Sequence, residues 1–138
     1  MSDFSLAHVE ILKIHVVELD LVMPPGFDEC PAETLRRVYN GIGPDRFPRW
    51  LRKLVTWLLR PFEGAALIHD WEYIFQPKTY WAYSAANWRF ARNALRTSCD
   101  ALLPGQMVKT AICGLFLALL CQLFGWRGYK VATLPEEV

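Results

Sequence analysis

The first hydrophobic segment of this chain predicts a strand, whereas the later hydrophobic segments predict helices. Residues 8–22 are rich in valine, isoleucine and leucine and contain neither glycine nor proline. Such a run predicts an extended strand that is buried on much of both faces. Pro24, Pro25 and Gly26 follow closely, and a cluster of this kind predicts the end of the strand.

Two segments before residue 60 predict short helices. Residues 31–37 predict a helical turn that leads into a glycine-containing loop. From Arg46 to Leu59, tryptophan and leucine recur at helical spacing among basic residues, which predicts an amphipathic helix. Two interpretations of its basic side stay open. It is either the solvated side of a core-packed helix, or it lies on anionic lipid with its tryptophans at headgroup depth.

The next two segments predict a pair of helices that pack against each other. The run from Glu63 to Phe75 predicts the first helix, and a proline soon after it predicts its end. Thr79 is a suitable N-cap for the second helix, which we expect to run to about Leu103. One stripe of the second helix should face the first in an antiparallel pair; it consists of Asn87, Phe90, Ala91 and Ala94.

The segment from Val108 to Trp126 is strongly apolar, and Gln122 is its only polar residue after Thr110. A helix that spans a membrane needs about 20 such residues, so this run is slightly short. We favour a helix that is covered by protein, folded back over the helix pair by Pro104 and Gly105. Insertion into a membrane stays open as the alternative.

Length and cysteine spacing indicate one domain without a metal-cysteine or disulfide framework. A chain of 138 residues with 53% hydrophobic residues can bury a core of its own. Its four cysteines show no Cys-x-x-Cys spacing, which argues against a zinc site. We expect a single domain over residues 1–138, with an N-terminal strand region at 1–35, a core at 36–103, and an apolar helix with a tail at 104–138.

The net charge of +1 conceals an asymmetry along the chain. Residues 1–33 carry seven acidic side chains against Lys13, and residues 34–62 carry seven basic side chains against Asp45. Either these are two solvated faces that attract each other, or the basic one faces a membrane or a partner. We expect no nucleic-acid partner, because no nucleic-acid-binding motif accompanies the basic run.

The helix from Glu63 to Phe75 also carries candidate chemistry. His69 and Tyr73 are one turn apart on the same face, and Asp70 points about 100° away from His69 around the helix axis. Upstream, the two glycines of the loop Tyr39–Gly43 allow carbonyl groups to converge on one ion. Calcium prefers about six to eight oxygen ligands, and a neutral histidine is a good general base near neutral pH. These residues therefore predict a hydrolytic site.

The motifs resemble those of the phospholipase A2 superfamily, in the disulfide-free style of parvovirus capsid proteins. The resemblance rests on the ordered set Tyr39-x-Gly41-x-Gly43, His69-Asp70-x-x-Tyr73 and Ala86-Asn87-x-x-Phe90. The turn Pro24–Phe27 with the later His-Asp-x-x-Tyr is also similar to an uncharacterised family of phage and prophage proteins. The chain departs from the superfamily at Asn87, where the pattern has aspartate. It also has Ala65 and Ala66 where the secreted enzymes have cysteines.

The resemblance implies a role for each of these residues. The carbonyls of Tyr39, Gly41 and Gly43, with the carboxylate of Asp70, would bind calcium. His69 would activate water, Asn87 would orient His69, and Tyr73 would brace Asn87. The ion and the Gly41 amide would stabilise the oxyanion of an ester. The amide of Asn87 can accept the histidine N–H but cannot supply the charge that stabilises an imidazolium; the equivalent change in a serine protease costs about 10⁴ in turnover.

The implied fold is mainly α with a small N-terminal β region, a phospholipase A2-like antiparallel helix pair and a C-terminal apolar helix. The implied function is calcium-dependent hydrolysis of phospholipid esters by a phage-encoded protein. Without a signal peptide, it would be made in the cytoplasm of the bacterial host. The main alternative is a non-catalytic tail, virion or assembly protein that retains the fold, and the minor one is a small membrane-associated protein. The expected partners are a phospholipid surface or other virion proteins, and self-association stays open.

Overall fold

The structure is a computed structural model that describes residues 4–39, 48–58, 60–100 and 104–134. These parts of the chain form α-helices and one 3₁₀ turn, at Arg60–Phe62, and they contain no strand. The fold is therefore mainly α, as predicted, and it has an apolar helix near its C-terminal end. The helices are α1 (Leu6–Glu18), α2 (Ala32–Val38), α3 (Arg49–Leu58), α4 (Glu63–Phe75), α5 (Tyr80–Ser98), α6 (Pro104–Phe124) and α7 (Trp126–Val131).

The predicted N-terminal strand over residues 8–22 is wrong, because residues 8–18 lie in α1 and residues 19–22 form a turn and irregular chain after it. Val9, Leu12 and Val16 are buried at helical spacing, whereas the intervening aliphatic residues are exposed. The Ser5 side chain caps the helix by accepting a hydrogen bond from the His8 backbone N–H at 3.2 Å. Valine and isoleucine favour strands only weakly, and a helix satisfies its backbone groups without a partner strand. Tertiary packing therefore overrides the local preference.

The segment after α1 is a compact turn that packs on α4. Gly26 has a φ of 90°, a backbone conformation that residues with a side chain rarely adopt. It lies against the indole of Trp71. The neighbouring Phe27 is fully buried, and its ring meets Trp71 edge-on at 5.9 Å. Lys13 ties the turn to α1 by donating to the backbone oxygens of Asp28 and Cys30 at 2.8 and 3.0 Å. This turn holds α1 over the N-terminal half of α4.

The predicted antiparallel packing of α4 and α5 is confirmed. Near one end of the pair, the rings of Tyr73 and Tyr83 are 6.1 Å apart. One turn earlier in α4 and two turns later in α5, the rings of His69 and Phe90 are 5.2 Å apart. The bounds of α4 match the prediction, and the Thr79 side chain caps α5 as expected. α5 ends at Ser98, earlier than predicted.

A buried ion pair further fixes the register of α4 and α5. Arg89 of α5 donates to Glu72 of α4, whose side chain is only 2% exposed. A carboxylate so deeply buried is costly without a partner. A slip of one turn between the helices would therefore be strongly destabilising.

The apolar helix α6 folds back over the helix pair, as predicted, and packs antiparallel on α5. The predicted cover by protein is wrong for most of the helix, because only Gly114 and Ala118 are buried and the side away from α5 is exposed. A Cβ atom added at Gly114 would lie 2.6 Å from the Cβ of Ala94 and 3.0 Å from the ring of Phe62, so the two helices approach closely at this point. α6 is longer at its N-terminal end than predicted, and Gly125 separates it from α7. Tyr129 of α7 is buried against the ring of Tyr73 at 4.9 Å, so α7 closes over the end of the helix pair.

Candidate functional site

His69 lies in the centre of the interface between α4 and α5. Its side chain is buried between the rings of Tyr73 and Phe90, at 4.2 and 5.2 Å. Its Nε2 atom is 2.8 Å from Oδ1 of Asn87. Because an amide oxygen can only accept, the hydrogen-bond network assigns the proton to Nε2, and Nδ1 keeps its lone pair. The ring is thus held in the tautomer in which Nδ1 can act as a base.

Asn87 connects the three residues that the sequence predicted as catalytic. Its Oδ1 atom accepts from His69 and also from the hydroxyl of Tyr73, at 3.1 Å. Asn87 is only 3% exposed, so these bonds compensate for removing its oxygen from water. The structure therefore brings His69, Tyr73 and Asn87 together, with the amide as the shared acceptor.

Gln122 of α6 completes this network and was not predicted as a site residue. Its Oε1 accepts from Nδ2 of Asn87 at 2.8 Å, and its Nε2 donates to Ser84 at 3.0 Å and to Tyr80 at 3.2 Å. The three bonds of the Asn87 amide, two at Oδ1 and one at Nδ2, therefore fix which of its atoms faces His69. The sequence did hold a signal: Gln122, the only polar residue of α6 after Thr110, follows Gly114 and Ala118 at steps of four, on the side that faces α5.

Burial determines the protonation of the ring groups in this network. It lowers the pKa of His69 from its ordinary 6.5 to about 4, and the bond to Asn87 opposes this shift only in part. His69 is therefore neutral at neutral pH. Burial also raises the pKa of Tyr73, so its hydroxyl stays protonated and donates to Asn87.

The two described residues of the predicted calcium site are Asp70 and Tyr39. Asp70 is half-buried, and its negative charge contributes to raising the pKa of Tyr39 and of Tyr73, after burial as the main cause. The charge of Asp70 thus acts on the first residue of the loop. Tyr39 itself is fully buried and donates its hydroxyl to Glu63 at 3.1 Å, which anchors the end of α2 on α4.

The rest of the predicted calcium site, Gly41 and Gly43, lies outside the described residues. Within the described ranges, no group of three or more histidine, cysteine or acidic side chains is placed to hold a metal ion. A calcium site at this point would therefore depend on one carboxylate, Asp70, together with backbone oxygens that begin at Tyr39. Such a donor set is all oxygen, which suits a hard cation.

The site is closed on the sides that the structure describes. His69 is 7% exposed, and α6 and α7 cover the part of α5 that carries its partners. An open cleft of about 1040 Å³ lies elsewhere, between α1 and the first half of α6. It is lined by His8, Glu63 and Lys109 among others, and it does not include His69. An ester would have to reach His69 by a route other than this cleft.

Comparison with protein-family models, with curated proteins and with solved structures gives no match for this chain. The family resemblance of its motifs therefore stays a prediction.

We expect Gln122→Leu to destabilise the protein by about 1–3 kcal/mol, because it leaves the buried Nδ2 group of Asn87 without its acceptor. Gln106→Leu is the matched control, since Gln106 is exposed in the first turn of the same helix. Urea unfolding followed by circular dichroism measures both changes. Equal unfolding free energies for the two variants would show that the network does not depend on Gln122.

The lowered pKa of His69 predicts a loss of stability in acid. Between pH 6.5 and about 4 the unfolded chain binds a proton at His69 that the folded chain does not bind, so acidification favours unfolding. Between about pH 7.5 and about pH 5, the titration of His69 should lower the free energy of unfolding by about 2 kcal/mol. His69→Gln should lose less stability over the same interval than the unsubstituted protein. His15→Gln, at an exposed position of α1, should lose as much stability as the unsubstituted protein. Urea unfolding at both pH values provides the comparison.

Proposed function

We propose that this protein is a calcium-dependent phospholipid ester hydrolase of the phospholipase A2 type. One observation carries the proposal: Nε2 of His69 is 2.8 Å from Oδ1 of Asn87, and the Tyr73 hydroxyl donates to the same oxygen. A histidine held in this way has its proton on Nε2 and its lone pair on Nδ1. This is the arrangement that a general base needs to activate water.

In the proposed reaction, Nδ1 of His69 takes a proton from water as the water attacks the ester carbonyl. The imidazolium then returns the proton to the departing alcohol. Asn87 and Tyr73 hold the ring in position throughout. A calcium ion, held by Asp70 and by the carbonyls of Tyr39, Gly41 and Gly43, would supply Lewis-acid polarisation of the ester carbonyl.

The amide of Asn87 limits this chemistry. It orients the ring but carries no charge to stabilise the imidazolium, and burial opposes the same charged form. We therefore expect slow turnover. The same two facts, together with the closed surroundings of His69, favour the second candidate: a structural or assembly component of a phage particle that retains the fold without efficient catalysis.

Turnover separates the two candidates. We expect the full chain to release fatty acid from phospholipid vesicles in the presence of calcium, and His69→Gln to lower the rate by about 100-fold or more, because the base is lost. His15→Gln is the matched control and should leave the rate unchanged. The measurement is fatty-acid release with calcium or with a chelator.

The same assay tests the calcium ligand. Asp70→Asn should increase the calcium concentration needed for half-maximal rate by about tenfold or more, since the carboxylate supplies the charge of the site. Asp28→Asn, at an exposed position of the turn, should not change it. If the unsubstituted protein releases no fatty acid at any calcium concentration, the hydrolase proposal is refuted in favour of the structural one.

Asn87→Asp should raise the rate of hydrolysis by about one to two orders of magnitude, because a carboxylate stabilises the imidazolium that develops on His69. It should also raise the pKa of His69, so the acidic limb of the pH–rate profile should move to higher pH. Asn93→Asp is the control within the same helix: Asn93 is also buried, but it bonds to the backbone of Val22 rather than to His69. A rate that is unchanged or lower in Asn87→Asp would contradict the assigned role of Asn87.

A further inference from the structure

The outward side of α6 is a continuous apolar surface. Within α6 only Gly114 and Ala118 are buried, both on the side that packs against α5. The opposite side exposes large hydrophobic residues at helical spacing, each 43–62% exposed: Val108, Ile112, Leu115, Phe116, Leu119 and Leu123. A stripe from the first of these to the last is about 22 Å long at the rise of an α-helix.

α5 extends this surface with a second stripe. Trp81, Trp88 and Leu95 recur every seven residues and are 83%, 74% and 41% exposed. The contacts of Gly114 with Ala94 and of Gln122 with Ser84 set the register between α6 and α5. In this register Trp88 of α5 lies at the same height along the helices as Leu119 of α6.

Both stripes point away from the core. On α5, Phe90 faces α4, on the opposite side from the tryptophans. On α6, Cys113 and Leu117 pack toward the core, on the other side from the exposed stripe. The two stripes therefore form one surface, the α5–α6 outer face. Monomeric soluble proteins rarely expose an apolar patch of this extent without a binding role.

The charge around this face is positive. Between residues 80 and 134 the only acidic residue is Asp100, against six basic residues. Arg89 is paired with Glu72 of α4, and the other five are exposed: Arg92, Arg96, Lys109, Arg127 and Lys130. Arg92 is exposed one turn from Trp88, and Arg127 and Lys130 are exposed in α7. Between Lys109 and Arg127 the chain has no charged residue. An apolar stripe with exposed tryptophans and basic residues at its rim fits the surface of an anionic membrane.

A second copy of this chain fits the face less well than lipid does. Pairing two copies through the face would bring their exposed basic residues together, and among the described residues between 80 and 134 each copy has only Asp100 as an acidic partner. Like charges brought together across an interface oppose association. An anionic lipid surface, in contrast, complements the charge of the whole rim.

The inner side of α6 argues against its crossing the membrane, although the helix is long and apolar enough to do so. Gln122 holds Asn87, and Gly114 is in close contact with Ala94. A spanning α6 would have to leave α5 and carry Gln122 into the hydrocarbon without these partners. A helix that keeps one side on the protein can bury only its other side in lipid.

We propose that the α5–α6 outer face binds the surface of anionic bilayers, with α6 lying in the plane of the membrane. The proposal identifies the lipid-binding surface of the proposed hydrolase and rests on that function for its biological purpose. Binding itself can be measured without turnover.

Flotation of the full chain with vesicles tests the proposal. We expect the protein to float with vesicles of phosphatidylcholine mixed with phosphatidylglycerol about tenfold more than with phosphatidylcholine alone, and salt should weaken this preference. The double variant Trp88→Gln with Leu119→Gln should float with the anionic vesicles at least about tenfold less than the unsubstituted protein. Ile14→Gln is the control, since Ile14 is 56% exposed on α1, outside the face. Circular dichroism checks that all variants stay folded.

The alternatives give different results. Equal binding by the double variant and the unsubstituted protein would overturn the proposal. Protein that stays in the membrane fraction after extraction with alkaline carbonate would also overturn the proposal, because such resistance indicates a spanning helix. A dimer in solution that the double variant disrupts, without vesicle binding, would assign the face to a second copy. Vesicle binding as predicted without fatty-acid release would refute the hydrolase proposal and support the membrane-binding face. Fatty-acid release that is unchanged in the double variant would support the hydrolase and refute the role of the face.

Discussion

The hydrogen-bonded chain from His69 through Asn87 to Gln122 determines how the three central helices fit together. These groups lie on α4, α5 and α6 in a mostly apolar interior, and an unpaired polar group there would cost more than a pair contributes. Each helix supplies one member, so the bonds form together in a single relative placement. The ion pair between Glu72 and Arg89 imposes the same register on α4 and α5.

The amide of Asn87 suits this structural role better than a carboxylate would. Burial lowers the pKa of His69 and keeps the ring neutral, and a neutral partner leaves no unbalanced charge in the interior. The same neutrality weakens the support for a developing imidazolium. A neutral partner at this position therefore favours the stability of the helix pair but does not favour the charged form of His69. The hydrolase and the structural protein proposed above differ in which of these two effects matters.

The two sides of α6 have separate roles. Its inner side carries small residues and Gln122, which let it approach α5 closely and bond to Asn87. Its outer side is apolar and exposed beside the tryptophans of α5. In the sequence both sides merge into one hydrophobic run, so hydropathy alone could not separate a core helix from a lipid-facing one.

The sequence by itself determined α4, the Thr79 cap of α5, the antiparallel packing of the two helices and the meeting of His69, Tyr73 and Asn87. The helix, the cap and the side of each helix on which these residues lie follow from local caps and from helical spacing. The contact of Asn87 with His69 and Tyr73 across two helices was implied by the resemblance of the motifs. It failed over residues 8–22, where valine and isoleucine favoured a strand but packing on α4 selected a helix. Only the tertiary structure decided the orientation of the Asn87 amide, the role of Gln122 and the exposure of the outer side of α6. Each of these depends on which helices become neighbours, and contacts between distant segments leave no periodic signal within either segment alone.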